Sequence, residues 1–289
     1  MSKIFCFGLG FTGNEIAKYF LINNWSVTGT TRNPIQDREK NVKLVKYDPI
    51  NGHVDLSGEL EEAHTVIISI SPNDLGDLVL KHNYEDIINT RSSIKRIIYL
   101  SSTSVYGDAD GRTVYEDSKI NPQTIMASNR CKAEEQWTKF CGKYSIPLDI
   151  LRLSGIYGKG RNQIRYLLNG SARRIIKEGH IFNRIHVEDI AKIVYQLTKI
   201  SHGSEIFNIS DDLPSPSNTV IEYAAELLKI EPPEPILFEN LELNDKGRVF
   251  YLNNRIVSNA KIKKILNYNF EYPNYKIGLK SLIDIELNN

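Results

Sequence analysis

The sequence lacks an excess of charge of either sign, and it lacks a long hydrophobic run. Its 289 residues carry 36 Lys and Arg against 35 Asp and Glu, so the net charge is +1. A chain so nearly balanced has no electrostatic reason to bind nucleic acid or an anionic membrane. The basic segment at 171–177 is short and typical of a solvated surface. No apolar run is long enough to cross a bilayer, and the opening MSKIFCFGLG is interrupted by glycines too early for a signal peptide.

Cysteine is also scarce. Cys6, Cys131 and Cys141 show neither the spacing of metal ligands nor that of a redox pair. An odd number of cysteines without a disulfide framework favours a reducing compartment. We therefore predict a cytoplasmic protein without a metal site.

The first half of the chain alternates short apolar runs with segments of helical periodicity. KIFCFGLG at 3–10 predicts a buried strand, and FTGNEIAKYFLINN at 11–24 predicts a helix because its apolar residues recur at helical spacing. The alternation continues to a long helix predicted at 123–144 and a strand predicted at 146–158. Such alternation requires right-handed crossovers between parallel strands, so it predicts an α/β Rossmann fold with a doubly wound parallel sheet.

The second half is less regular. Helices are predicted near 187–199, 217–228 and 256–267, with a strand at 204–210. We predict an NAD(P)-binding Rossmann domain over residues 1–155 and a smaller α+β substrate lobe over residues 156–289. The lobe is expected to be interleaved with the first domain and to contribute partly to the main sheet.

A glycine-rich loop follows the first predicted strand. Gly8, Gly10 and Gly13 stand in G-x-G-x-x-G order where the strand ends and the first helix opens. In a dinucleotide site these glycines allow a tight turn, a close approach of the backbone to the pyrophosphate, and tight helix–strand packing. The helix start offers N–H groups and the positive end of its dipole to the phosphates. The loop therefore predicts a dinucleotide cofactor.

The end of the second predicted strand bears on which dinucleotide binds. An NAD site usually places Asp or Glu there, to accept a hydrogen bond from the ribose 2′-hydroxyl. This sequence has Thr31 and Arg32 instead, and the next carboxylate along the chain is Asp37, beyond Pro34. An arginine can stack on adenine and pair with a 2′-phosphate. We predict NADP, with NAD as the alternative and a solvated loop as the other interpretation of Arg32.

Four segments carry a family resemblance. GLGFTG, YLSSTSVYGD, RLSGIYGKGRN and FNRIHVEDIA occur in the order and spacing of extended short-chain dehydrogenase/reductases, also called the NAD-dependent epimerase/dehydratase superfamily. FNISDDLPSP and NNRIVSNAKIKKILNYNFEYPNYKIGL resemble an atypical bacterial branch of that group. The resemblance covers nearly the whole chain. It implies an NAD(P) cofactor and cofactor contacts that include Phe11, Thr12, Ser69 and Ser154.

The resemblance also implies catalytic positions. In the family, a Ser or Thr three residues before the V-Y-G valine polarises the reacting oxygen, and that position is Ser102 here. The family's Tyr and Lys lie one helical turn apart, just ahead of an Ala-Glu pair. Alignment on Ala133 and Glu134 places Met126 at the tyrosine position and Arg130 at the lysine position. Methionine has no proton to transfer, whereas arginine can donate to a ribose but cannot titrate.

A Y-x-x-x-K pair does occur elsewhere in the chain, at Tyr115 and Lys119. Its tyrosine lies thirteen residues beyond Ser102. A catalytic pair of this kind must lie inside a helix, so that both side chains project from one face. Here Pro122 follows almost at once, and proline ends or forbids a helix. We therefore interpret VYEDSK at 114–119 as a loop. The alternative acid/base candidates are Tyr106, Tyr157 and His186, each of which also has a purely structural interpretation.

The second lobe is implied to form the substrate pocket. Arg161 in RLSGIYGKGRN and Arg184 in FNRIHVEDIA would suit a phosphate or carboxylate, as in a nucleotide sugar or an acidic metabolite. The leading hypothesis is an oxidoreductase or epimerase-like enzyme for a small polar substrate, working as a monomer or homodimer. The alternative is a catalytically silent NADP-binding sensor. A hydroxyacid dehydrogenase shares only the opening loop.

Overall fold

The computed structural model describes residues 2–34, 41–242 and 248–288. Its strands share a short length of two to seven residues and are, in chain order, Lys3–Phe7 (β1), Ser26–Thr31 (β2), Val42–Lys46 (β3), Thr65–Ile68 (β4), Arg96–Ser102 (β5), Thr113–Val114 (β6), Leu148–Leu153 (β7), Gly155–Tyr157 (β8), Arg174–Ile176 (β9), Arg184–His186 (β10), Glu205–Ile209 (β11), Pro235–Leu237 (β12) and Ile256–Val257 (β13).

The α-helices range from one turn to twenty residues. They are Phe11–Ile22 (α1), Ser57–Leu60 (α2), Leu78–Asn89 (α3), Ile125–Tyr144 (α4), Gln163–Leu168 (α5), Val187–Leu197 (α6), Ser217–Leu228 (α7), Ala260–Leu266 (α8) and Tyr275–Leu287 (α9). No described helix is both long and apolar enough to cross a membrane.

Seven of the described strands form the central parallel sheet, in the order β11-β7-β5-β4-β1-β2-β3. Strand β1 lies between β2 and β4 and pairs in parallel with both. The strand order therefore reverses beside β1, which is the place where doubly wound sheets bind ligands at the carboxyl ends of their strands. The predicted α/β Rossmann fold is confirmed.

The chain folds into two compact units. Unit 1 comprises residues 1–105, 122–152 and 190–207, and unit 2 comprises residues 106–121, 153–189 and 208–289. The core of unit 1 packs one face of the sheet against α3 and α4. Phe5, Phe7 and Tyr99 of the sheet lie in the same buried cluster as Trp137 and Phe140 of α4. This packing places the start of α4 near the carboxyl end of β5.

Unit 2 contains short paired strands and a helical cluster. Strand β8 pairs in parallel with β10, and β9 pairs in parallel with β12. Helices α5, α7 and α9 share a core to which Ile164, Val220 and Leu279 contribute. Tyr275 of α9 completes that core.

Three predicted elements differ from the structure. The strand predicted at 146–158 is interrupted at Ser154, so β7 joins the main sheet while β8 pairs with β10. The polar segment around 83–93 predicts a helix, but helix α3 begins earlier, at Leu78, because the Asp77 carboxylate caps it, accepting from the Leu80 N–H at 3.0 Å. The helix predicted near 256–267 begins only at Ala260, since Ile256 and Val257 form β13 instead.

Candidate functional site

The glycine loop is shaped by two close backbone approaches. Gly8 has a φ of +95°, and a Cβ built there would lie 2.8 Å from Cγ1 of Ile70. Its N–H donates to Oγ1 of Thr30 at 2.8 Å, which fixes the turn. A Cβ on Gly13 would lie 2.2 Å from the Gly8 carbonyl oxygen, so only glycine lets α1 pack this tightly on β1. Both positions therefore serve the fold of the loop.

Gly10 is different, because nothing in the protein lies within 4 Å of the position its Cβ would take. It is the N-cap residue of α1, with φ −86° and ψ −159°, and it offers no side chain to cap the helix. Phe11 and Thr12 form the first turn. The first N–H groups of a helix have no partner within it and attract anions. Open space at a helix start is the arrangement a pyrophosphate requires.

Other predicted cofactor contacts lie along the same edge of the sheet. Strands β2, β1 and β4 are neighbours, so Thr31 at the end of β2 and Ser69 after β4 flank the strand that leads to the loop. The Ser69 N–H donates to the Phe7 carbonyl at 2.9 Å. Arg32 is exposed. Asp37 lies outside the described residues.

Ser102 ends β5, the next strand along that edge. Its Oγ accepts from the Ser104 N–H at 3.1 Å, and the residue is half-buried. The neighbouring Ser101 points elsewhere, since its hydroxyl donates to the buried Glu134 carboxylate at 2.5 Å. Of the two serines, Ser102 is therefore the one whose hydroxyl does not bond to a buried side chain.

Glu134 anchors α4 through a buried ion pair. Nη2 of Arg152, on β7, donates to the Glu134 carboxylate at 2.8 Å. Arg152 and Glu134 are 2% and 5% exposed, so neither charge is solvated by water. The pair fixes the long helix against β5 and β7, and with it the residues at the start of α4.

Arg130 and Met126 lie one turn apart on α4. The Arg130 guanidinium donates from Nη1 to the Leu100 carbonyl at 2.7 Å and from Nη2 to the Ser71 hydroxyl at 3.1 Å. Its charge is thereby held at the carboxyl end of the sheet. Met126 is 65% exposed and contributes no polar group.

The loop predicted at 114–119 is confirmed for residues 115–119, whereas Val114 ends strand β6. Residues 115–119 form a turn outside any helix, with the Tyr115 N–H donating to the Ser118 hydroxyl at 2.8 Å. Tyr115 is 51% exposed. The two side chains of Y-x-x-x-K therefore do not project from one helical face.

The alternative acid/base candidates have structural partners. Tyr106 is buried, and its hydroxyl donates to the Asn208 amide oxygen at 2.6 Å. Burial raises the pKa of Tyr157, which packs edge-on to His186 with ring centroids 5.0 Å apart. His186 is 1% exposed and also packs on the Tyr272 ring, with the two ring centroids 3.8 Å apart. These contacts favour the structural interpretation of all three.

Unit 2 contains a cavity of about 350 Å³ that brings together Arg161 and Arg184. Its other lining residues are aromatic, amide, aliphatic and small, including Tyr166, Phe182, Asn183, Ser217 and Tyr275. Two cations beside aromatic rings suit an anionic ligand that also has an apolar or aromatic part.

Burial lowers the pKa of Arg184, and the nearby Asp211 opposes that shift. Nη1 of Arg184 donates to the carbonyls of Phe182 at 3.1 Å and Ser215 at 3.0 Å. Carbonyls orient the guanidinium without neutralising it. Ser154 also belongs to unit 2, but it does not line the cavity. Its hydroxyl is buried and has no hydrogen-bond partner among the described residues.

Several contributors were not predicted from the sequence. Thr30 and Ser71 hold the glycine loop and Arg130, but isolated hydroxyl residues carry no motif. Tyr275 reaches the cavity on α9, a helix that was not predicted. The signal for α9 is Asn274, an N-cap type, followed by apolar residues at helical spacing.

Comparison with known proteins places this geometry in a family. Residues 86–210 match the model of the NAD dependent epimerase/dehydratase family. Protein YeeZ of Escherichia coli K12 is 30% identical over 286 residues, which cover 94% of this chain and 97% of that protein.

Solved structures of other proteins have the same fold. A conserved protein of unknown function from Silicibacter pomeroyi superposes with a TM-score of 0.90, at 34% identity over 99% of each chain. The UDP-glucuronic acid 4-epimerase of Bacillus cereus, solved with UDP-glucuronic acid and NAD, superposes with a TM-score of 0.78, at 17% identity over 99% of each chain. The second likeness is one of fold.

Proposed function

Because the chain belongs to the NAD-dependent epimerase/dehydratase family of extended short-chain dehydrogenase/reductases, we propose that it is an NAD(P)-dependent oxidoreductase or epimerase-like enzyme for a small polar substrate. The observation that carries the proposal is the open helix start at Gly10, on the same sheet edge as Ser102 and Arg130. Unit 1 would hold the cofactor and unit 2 the substrate. The free thiols of Cys6, Cys131 and Cys141 favour work in the reducing cytoplasm.

Each residue has a definite role in this proposal. A bound nicotinamide dinucleotide supplies the group that accepts or returns hydride. The start of α1 binds its diphosphate, and Arg130 donates to its ribose. The Ser102 hydroxyl donates to the oxygen on the reacting carbon, where a hydrogen bond stabilises developing charge. The Arg130 guanidinium contributes a positive field there.

The substrate class follows from the cavity in unit 2. Arg161 and Arg184 provide two cations, and Tyr166, Phe182 and Tyr275 provide ring surfaces. A nucleotide sugar combines a diphosphate with an aromatic base and would use both. The UDP-glucuronic acid of the Bacillus cereus epimerase is a ligand of this type.

NADP is the proposed cofactor, and Arg32 is the residue that would select it. Replacing Arg32 by alanine is expected to weaken NADPH binding about tenfold or more and NADH binding much less, because stacking on adenine serves both cofactors but only NADPH has a 2′-phosphate to pair. Nicotinamide fluorescence titrations of both cofactors measure this. Tighter binding of NADH by the wild type, or an unchanged NADPH affinity in the variant, would contradict the assignment.

A second function, a silent NADP-binding sensor, is favoured by Met126. The side chain at the family's tyrosine position has no hydroxyl and is largely exposed. Nothing at that position can carry a proton between substrate and solvent. A sensor would bind NADPH tightly, and the bound dinucleotide would show no turnover with any nucleotide sugar.

Paired variants separate these functions and test Tyr115. In assays with NADP⁺ and a panel of nucleotide sugars, Ser102→Ala is expected to lose about 100-fold in kcat, as when one oxyanion donor is removed. Tyr115→Phe is expected to keep its activity, because the turn places this residue outside the helix that carries Arg130. Nicotinamide absorbance and product chromatography are the readouts. Loss of activity in a folded Tyr115→Phe protein would instead make Tyr115 the acid/base, and a wild type without turnover would support the sensor.

A further inference from the structure

Two consecutive aspartates follow β11 and lie in opposite surroundings. Asp212 is partly exposed, and its carboxylate accepts from Nδ2 of Asn259 at 2.7 Å and from Nζ of Lys263 at 3.0 Å. Asp211 is 2% exposed. Its Oδ1 accepts from the Leu213 N–H at 3.2 Å, while Oδ2 is buried without a hydrogen-bond partner among the described residues. A buried carboxyl oxygen without a partner needs an explanation.

Asp211 is tied to the arginine of the substrate cavity. Its N–H donates to the Arg184 carbonyl at 2.7 Å, so the two residues lie side by side. The Arg184 guanidinium lines the cavity and donates to two backbone carbonyls. Within the described part of the chain it forms no ion pair with a carboxylate. Asp211 therefore influences Arg184 through the electrostatic field and not through a salt bridge.

Three charged groups act on Asp211, and they lie on β10, on α6 and in the loop after β11. Burial is the largest cause that raises its pKa, to about 8, while Arg184 on β10 opposes the shift. Asp212 raises the pKa further, as does Asp189 on α6, whose carboxylate accepts from the Tyr268 hydroxyl and from two backbone N–H groups. Asp211 also raises the pKa of the Tyr157 hydroxyl on β8, so these two groups interact electrostatically. At neutral pH, burial thus favours the protonated form of Asp211.

We propose that Asp211 is a positioning residue for the substrate anion beside Arg184, and that binding of this anion is coupled to proton uptake by Asp211. The inference rests on the proposed function, because it requires an anion in the unit 2 cavity. An ionised Asp211 would partly offset the positive charge of Arg184 and would repel the incoming anion. A protonated Asp211 does neither, so it leaves the guanidinium charge to the ligand.

The sign of the pH dependence follows from the linkage. Below about pH 7, Asp211 holds its proton with or without ligand, so binding takes up none. Above about pH 8 the empty protein has lost that proton, and the negative ligand restores it by raising the pKa further. One proton taken up lowers the affinity by as much as about tenfold per pH unit in that range.

Calorimetric titration with uridine 5′-diphosphate tests the coupling between about pH 7.5 and 9, where the uracil N3–H of the ligand stays largely protonated. The phosphate is fully ionised across this range, since its second pKa is about 6. Two buffers of different ionisation enthalpy at each pH give the number of protons taken up. The wild type is expected to approach one proton at pH 9 and to lose about tenfold in affinity between pH 8 and 9.

Two asparagine variants provide matched controls. Asp211→Asn is expected to take up no proton and to bind with a Kd that is flat across the range. Asp212→Asn removes a charge that raises the pKa of Asp211, so it is expected to keep the proton uptake but to shift its onset to lower pH. Equal uptake in Asp211→Asn and wild type, or none in the wild type, overturns the inference and leaves the proposed function standing. A wild type that binds NADPH but no uridine diphosphate overturns both the inference and the proposed substrate class.

A carboxyl NMR titration covers the case in which Asp211→Asn fails to fold. With ¹³C-labelled aspartate in the wild-type protein, one carboxyl is expected to titrate near pH 8 and to shift to higher pH when uridine diphosphate is added. If no aspartate titrates above pH 6, or if the ligand leaves that titration unchanged, the coupling is wrong.

Discussion

Replacing Gly10 by alanine is expected to weaken dinucleotide binding about 100-fold while the protein stays folded. The methyl group meets no protein atom within 4 Å, and the backbone angles of Gly10 suit any residue. Alanine is a poorer N-cap than glycine, which costs about 1 kcal/mol or less of stability. In the proposed site the same methyl group would lie where the backbone approaches the pyrophosphate, and each tenfold loss in affinity corresponds to about 1.4 kcal/mol.

Fluorescence titration with NADPH and a thermal melt measure the two effects separately. Gly142→Ala is a matched control, because that helical glycine also has open space around its Cβ position and lies in the interior of α4. Gly13→Ala is expected to fail differently, since its Cβ would collide with the Gly8 carbonyl and destabilise the loop itself. Wild-type affinity in Gly10→Ala would show that the phosphates bind elsewhere.

Replacing Glu134 by alanine is expected to lower the free energy of unfolding by about 3–5 kcal/mol, because it leaves the Arg152 charge buried without its carboxylate. Arg152 is 2% exposed, and Ser101 would lose its acceptor as well. Because α4 is fixed to the sheet through this pair, cofactor affinity should fall with stability.

Urea denaturation of Glu134→Ala and Glu135→Ala gives a direct comparison of adjacent residues. Glu135 pairs with Lys139 on the exposed face of α4, and such solvent-exposed pairs contribute little to stability. The double variant Glu134→Leu/Arg152→Met is expected to recover most of the lost stability, because apolar residues can replace a buried pair. Equal midpoints for the two single variants would contradict the role of the pair.

The parts of the fold that follow local patterns were predictable from the sequence. Helical periodicity placed helices near 187–199 and 217–228, and they form at Val187–Leu197 and Ser217–Leu228. The glycine spacing located the turn between β1 and α1. The position of Pro122 correctly predicted that Tyr115 and Lys119 lie in a loop.

Features that depend on distant partners were not predictable. The partner of Glu134 is Arg152, eighteen residues away, and nothing in the intervening sequence indicates the pairing. The pattern of apolar residues at 146–158 continues through Ser154, so the division into β7 and β8 became visible only from the partners of each strand. Asp211 and Asp212 look alike in sequence, and only burial distinguishes them.

The candidate site was predictable in part. The sequence indicated Arg161 and Arg184 separately, and the structure brings them to one cavity. The roles of Ser102, Arg130, Ser69 and Ser154 remain predictions, as does the choice of NADP. The sequence does not decide between NADP and NAD because Arg32 is exposed. The orientation of an exposed side chain depends on the ligand that it binds.

The central claim is that a dinucleotide diphosphate binds at the start of α1. A crystal structure of the wild-type protein soaked with NADP⁺ measures this directly. The expected result is diphosphate density against the backbone N–H groups that follow Gly10, with Arg130 in hydrogen-bond reach of the nicotinamide ribose. Diphosphate density at another site, or an empty corner beside Gly10 at saturating cofactor, would contradict it.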